Sequence, residues 1–108
     1  MTERCAMFIG RFQPLHDGHT ALIQTALDEG KPVVVALMDT EQDAANPYTV
    51  EQRREMFEEA FGGQVHVITI PPVAEVCYGR NVGYRIRRIH LPAEIEAINA
   101  TSIREGGG

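Results

Sequence analysis

The chain contains no tryptophan, only two cysteines, and fewer basic than acidic residues, 10 Lys and Arg against 15 Asp and Glu. Each scarcity closes off a class of protein. Cys5 and Cys77 each sit inside an apolar run, which fits buried free thiols in a reducing compartment better than a disulfide framework or a zinc site. A net charge of −5 argues against a broad basic surface that would neutralise nucleic-acid phosphates, so no nucleic-acid partner is expected. No apolar stretch approaches the roughly 20 residues that span a bilayer, and MTERCAMFIG lacks a basic segment followed by a long apolar one. The expected protein is cytoplasmic, with no membrane attachment. Without tryptophan, stacking on a ligand falls to Tyr48, Tyr78, Tyr84 or a phenylalanine.

What remains is ordinary for a globular chain. With 108 residues, 44% hydrophobic and 23% charged, it holds one core, expected as a single domain over residues 1–108. CAMFIGRF (5–12) reads as a buried first strand feeding a loop at Gly10. From Asp17 to Glu29 the apolar residues Ala21, Leu22, Ile23, Ala26 and Leu27 fall mainly on one helical stripe, with Gly30 and Pro32 as stop signals. VVVALM (33–38) is unbroken and largely β-branched, the pattern of a strand covered on both faces of a parallel sheet.

DTEQDAANPY (39–48) is polar and contains a proline, hence a loop. Thr49 then offers a helix cap with Gln52 as its reciprocal partner, and that helix is predicted to reach Phe61, ahead of Gly62 and Gly63. VHVITI (65–70) reads as a third strand ending at Pro71 and Pro72. AEVCY (74–78) and YRIRRIHL (84–91) suggest two more short strands around a glycine loop. The β-α-β-α-β order predicts right-handed crossovers and a Rossmann-like, mostly parallel, five-stranded sheet flanked by helices.

The first strand-to-helix turn of such a sheet binds anions, because backbone N–H groups at the helix N-terminus face the strand ends. GRFQPLHDGH (10–19) occupies that place. His16 and His19 are spaced so that both rings reach one side of the turn, and Gly18 keeps the backbone bare enough for a phosphate to approach. Arg11 adds a planar fork suited to phosphate oxygens. Imidazoles placed there can stabilise charge that grows on a phosphoryl group. On the residues alone a plainer reading stands beside this one, in which one histidine caps the helix and the other lies on the surface.

GRFQPLHDGH resembles the T/H-x-G-H signature of the nucleotidyltransferase superfamily, and is similar to its form in archaeal-type nicotinamide mononucleotide (NMN) adenylyltransferases. NPYTVEQR (46–53) resembles a second segment of those enzymes, and INATSIRE (98–105) resembles the I-S-x-T-x-I-R signature near the end of the domain. The resemblance implies transfer of a nucleoside monophosphate, AMP from ATP above all, to a phosphate-bearing acceptor such as NMN. Pyrophosphate is released, and Mg²⁺ is required, held mainly by the nucleotide phosphates with no protein metal ligand.

By the same resemblance His16 and His19 are catalytic, with Arg11 and Arg104 as phosphate-binding partners. Gly10, Phe12, Gln13 and Gly18 belong to the nucleotide site, as do Thr101, Ser102 and Ile103, which offer donors to the β- and γ-phosphates. Arg53, Tyr78, Arg80 and Asn81 are candidates for the acceptor or its phosphate. Plainer roles are available for several: a helix cap at Thr101 and Ser102, a solvated face for Arg53 beside Glu51 and Glu55, an edge strand kept soluble by Arg85 and Arg87, and structural places for His66 and His90.

Residues 73–91 do not match the NMN enzymes, and the usual C-terminal helix does not follow the last signature. A small α/β domain with short edge strands gains burial by pairing, so a homo-oligomer is expected. A cytidylyltransferase, another adenylyltransferase acting on a phosphorylated alcohol or sugar, or a non-catalytic nucleotide-binding module are the alternatives.

Overall fold

The computed structural model describes residues 4–77, 79 and 86–91. The described elements are β1 (Ala6–Gly10), α1 (Asp17–Asp28), β2 (Val33–Met38), α2 (Val50–Phe61), a single 3₁₀ turn (Gly62–Gln64) and β3 (Val65–Ile70). The three strands form one parallel sheet in the order β1-β2-β3. Phe8 lies opposite Val35, which in turn lies opposite Val67.

The sheet runs in one direction, and both helices pack on the same face. Val33, Val35 and Leu37 of β2 form one cluster with Val65 of β3, Ile23 and Ala26 of α1, and Phe57 and Phe61 of α2. Two crossovers of the same hand that step the same way across a sheet must place both helices on one side. On the other face Met7 and Ile9 of β1 are 53% and 40% exposed, whereas Val34 and Ala36 of the central strand are buried. The unbroken apolar run of β2 therefore reflects burial on both faces, as its composition predicts, and β1 is buried on one face only.

Local chemistry accounts for the boundaries. The hydroxyl of Thr49 accepts from the Gln52 N–H at 3.1 Å while the Gln52 side chain accepts from the Thr49 N–H at 2.8 Å, the reciprocal cap expected from sequence. Gly30 (φ +81°) and Gly62 (φ +58°) take the left-handed backbone that ends α1 and α2.

Three expectations need correction. Residues 74–77 and 86–91 form no strand; they follow Pro71 and Pro72, and apolar composition alone does not supply a sheet partner. Cys5 and Cys77 are both exposed, because Cys5 precedes the strand that the helices cover and Cys77 lies in that non-strand segment. Arg53 is not on a solvated face but fully buried. No helix among the described residues is long and apolar enough to cross a membrane.

Candidate functional site

β1 ends at Gly10, and residues 11–16 turn into α1 above the carboxyl end of the sheet. The turn is built from inside outward. Phe12 is buried with φ +52°, a conformation that a bulky residue adopts only when packing over-determines it. Its ring makes edge contacts with His19 at 4.8 Å and Phe57 at 5.0 Å between centroids. A Cβ at Gly10 would stand 3.1 Å from two atoms of that ring, so the ring would have to shift to admit it. Phe12 packs between His19 and Phe57 at the base of the turn.

His16 is the N-cap of α1. Its Nδ1 accepts from the N–H of Gly18 at 3.1 Å and of His19 at 3.4 Å, and the His16 N–H donates back to Nδ1 of His19 at 3.3 Å. Two imidazoles thus make the reciprocal capping arrangement usually made by a hydroxyl and a carboxamide. The rings stack at 3.7 Å with an interplanar angle of 17°.

This arrangement fixes the tautomers. An Nδ1 that accepts a hydrogen bond carries no proton, so each neutral ring bears its hydrogen on Nε2. Burial first, and the charge of adjacent His16 second, lower the pKa of His19 to about 4. Burial also lowers that of His16, more than the nearby Asp17 carboxylate raises it. At neutral pH the pair therefore presents two uncharged Nε2–H donors at a helix N-terminus, beside the buried backbone of Gly18. The capping and phosphate readings of the sequence are not rivals: each ring spends one nitrogen on the helix and keeps the other.

Arg11 is exposed, and its Nη1 donates to Oδ1 of Asn46 at 3.2 Å. Asn46 is oriented for this because its own Nδ2 donates to Asp43 at 3.1 Å. Asp43 also accepts from the backbone N–H of Ala45 and Asn46, and these bonds hold its carboxyl below the usual range. The Arg11 fork retains further N–H donors in the direction of solvent.

Gln13 and Arg53 lie underneath. The Gln13 side chain is 2% exposed and bonds the backbone of Tyr48. Arg53 donates from Nη1 to the carbonyls of Arg11 at 2.7 Å and Met38 at 2.8 Å, and from Nε to that of Thr49 at 3.2 Å. Its Nη2 has no hydrogen-bond partner among the described residues. Sequence reasoning gave both residues a substrate role. Gln13 bonds backbone 35 residues away and Arg53 reaches carbonyls 15 and 42 residues away, relations that no local pattern signals. Tyr78, Arg80, Asn81, Thr101, Ser102, Ile103 and Arg104 lie outside the described residues.

Known proteins resemble this chain over the same region. A nicotinamide/nicotinic acid mononucleotide adenylyltransferase of Acinetobacter baylyi is 36% identical over 70 residues, covering 59% of this chain and 37% of its own length. A nicotinamide-nucleotide adenylyltransferase of Methanocorpusculum labreanum is 29% identical over 75 residues, covering 68% and 45%. A phosphopantetheine adenylyltransferase of Anaeromyxobacter is 36% identical over 65 residues, covering 60% and 39%. Among solved structures, a bifunctional NMN adenylyltransferase/ADP-ribose pyrophosphatase of Francisella tularensis, crystallised with AMP and a manganese ion, superposes with a TM-score of 0.54 at 32% identity. The match covers 61% of this chain and 22% of that one. The chain spans less than half the length of each of these relatives. The cytidylyltransferase-like family model matches residues 7–82, from β1 past the end of β3, and the chain belongs to that family.

Proposed function

We propose that the protein is a nucleotidyltransferase that moves AMP from ATP to a phosphate-bearing acceptor, NMN in the leading reading, with release of pyrophosphate. One observation carries the proposal: two neutral imidazoles whose Nδ1 atoms are committed to the helix cap, leaving two Nε2–H donors at the N-terminus of α1. Such N–H groups donate directly to phosphate oxygens, and pre-placed donors suit a charge that grows during reaction.

An acceptor phosphate oxygen attacks the α-phosphorus in line, the new P–O bond forms, and the bond to the β-phosphate breaks with its electron pair leaving on pyrophosphate. The acceptor's phosphate is already an anion, so no protein base is needed. The chain's part is to hold: His16 and His19 on the triphosphate, Arg11 on a phosphate oxygen, the Gly18 backbone against the nucleotide. Thr101, Ser102, Ile103 and Arg104 complete the triphosphate cradle in this reading, while Tyr78, Arg80 and Asn81 serve the acceptor.

The donors at the described site are N–H groups, which fit phosphate oxygens rather than a bare cation. Magnesium accordingly belongs to the nucleotide, where it offsets phosphate charge, and the protein residues need not ligate it. The cytoplasm supplies all of these substrates, and a pair of copies is the proposed assembly.

The relatives bear names with two different acceptors, and the phosphopantetheine enzyme matches at the same identity as the nicotinamide one. A phosphorylated-alcohol acceptor is therefore the second reading. Pyrophosphate release from ATP or CTP with Mg²⁺, assayed against NMN, nicotinic acid mononucleotide and phosphopantetheine, separates them. Release with ATP and a mononucleotide supports the leading reading, and release with phosphopantetheine alone moves the acceptor. No release with any pair rejects the transferase.

A further inference from the structure

Beneath the histidine turn, the Gln13 carboxamide makes both hydrogen bonds that a neighbouring strand would make to Tyr48. The Tyr48 N–H donates to Oε1 at 2.9 Å, and Nε2 donates to the Tyr48 carbonyl at 3.0 Å, with the Thr40 hydroxyl also within 3.4 Å of Nε2. The side chain is almost wholly buried, so either bond left unmade would strand a polar group away from water. Residue 13 belongs to the turn that carries Arg11, His16 and His19. Residues 40 and 48 belong to the segment between β2 and α2, which leaves the sheet beside it, since Gly10 lies in register with Leu37. Arg53 reinforces the joint by bonding the Arg11 and Thr49 carbonyls together, and Arg11 reaches Asn46 across its outer side.

Ligands of open α/β sheets lie outside the carboxyl ends of the strands, and here that position has two walls, the turn and the 39–48 segment. We propose that Gln13 is a positioning residue: by holding the Tyr48 backbone it fixes the 39–48 wall relative to the phosphate-binding histidines, and so sets the alignment on which in-line transfer depends. The inference rests on the transferase reading. It gives Gln13 a role through Tyr48 rather than through substrate.

The test is a comparison of Gln13→Leu and Gln13→Glu with the wild-type chain, measuring kcat and KM for ATP by pyrophosphate release at several pH values, with thermal unfolding in parallel. Gln13→Leu removes both bonds. Its kcat is expected to fall on the order of 100-fold, the scale of a misalignment of about 1 Å, with a much smaller change in KM. Gln13→Glu keeps the acceptor for the Tyr48 N–H but sets a carboxylate against the Tyr48 carbonyl. Burial raises that carboxyl's pKa, and protonation restores an O–H donor. The ratio of Gln13→Glu to wild-type kcat should therefore climb as pH falls from 8 to 6. A residue that only fills space would give no such pH dependence. Wild-type kcat in a folded Gln13→Leu overturns the proposal, as does a pH-independent ratio for Gln13→Glu, which decides the matter alone if the leucine variant does not fold. A wild-type protein that releases no pyrophosphate with any substrate pair overturns the transferase reading, and this proposal with it. An active wild type with an indifferent Gln13 overturns this proposal only.

Discussion

The first turns of α1 and α2 are closed by the same reciprocal pair of hydrogen bonds, one built from His16 and His19, the other from Thr49 and Gln52. In α2 the Thr49 hydroxyl oxygen and the Gln52 Oε1 each accept one backbone N–H. In α1 each side chain is a ring with a second nitrogen on its far side, so the same backbone requirement is met and two donors are left over. Capping and ligand binding are thus not competing explanations for a histidine at a helix start. The imidazole separates the two jobs in space, with one nitrogen turned to the helix and the other on the far side of the ring.

The comparison breaks most visibly at the leftover donors. His19→Ala is expected to lower turnover by about 100- to 1000-fold, the range for removing one pre-placed donor to a developing charge. Single-turnover assays, with nucleotide binding measured separately, check it. Equal loss of binding and turnover would assign the ring to folding instead. His16→Thr gives α1 the N-cap residue of α2 while keeping His19. It should keep the unfolding temperature, because threonine caps well, yet lose turnover to a similar degree as His19→Ala.

Below the turn, Arg53→Leu leaves the Arg11 and Met38 carbonyls without their buried donor and should cost roughly 3 kcal/mol of stability by urea unfolding. Thr49→Ala, which removes a cap with no second role, should cost about 1 kcal/mol and leave kcat untouched.

A further test distinguishes the two caps by pH. His19 titrates at about 4 in the folded chain and near 6.5 when unfolded, so the unfolded state binds more protons in between. Its contribution to stability is complete above pH 6.5 and is lost as pH falls toward 4, when a proton on Nδ1 displaces the His16 N–H. Urea midpoints across that window should fall further for the wild type than for His19→Ala. The Thr49 cap contributes nothing to this slope.

Much of the frame is legible in the sequence, because its signals are local. The run at 33–38 and the alternation at 65–70 give β2 and β3, and Thr49 with Gln52 marks the start of α2. Residues 74–77 and 86–91 show the limit of the method: they are apolar enough to suggest strands, but strand formation depends on a neighbour that the segment itself does not encode. The site divides the same way. His16 and His19 are singled out by their spacing and their place after a strand, and the structure brings their rings together at the start of α1. Gln13 and Arg53 are expected at the substrate, and their bonds to the Tyr48 and Arg11 backbone form only when the chain closes on itself.

Phe12 gives the molecule a mechanical property as well. Its ring touches His19 on one side and Phe57 on another, and it closes over the space where Gly10 has no side chain. Even a single methyl group added to β1 at that glycine would act as a wedge, tilting a ring that bears at once on the hydrophobic interior and on an imidazole. A change buried in the strand would then be felt as a displaced donor, which makes Gly10 and Phe12 a lever between the packing of the core and the aim of the site.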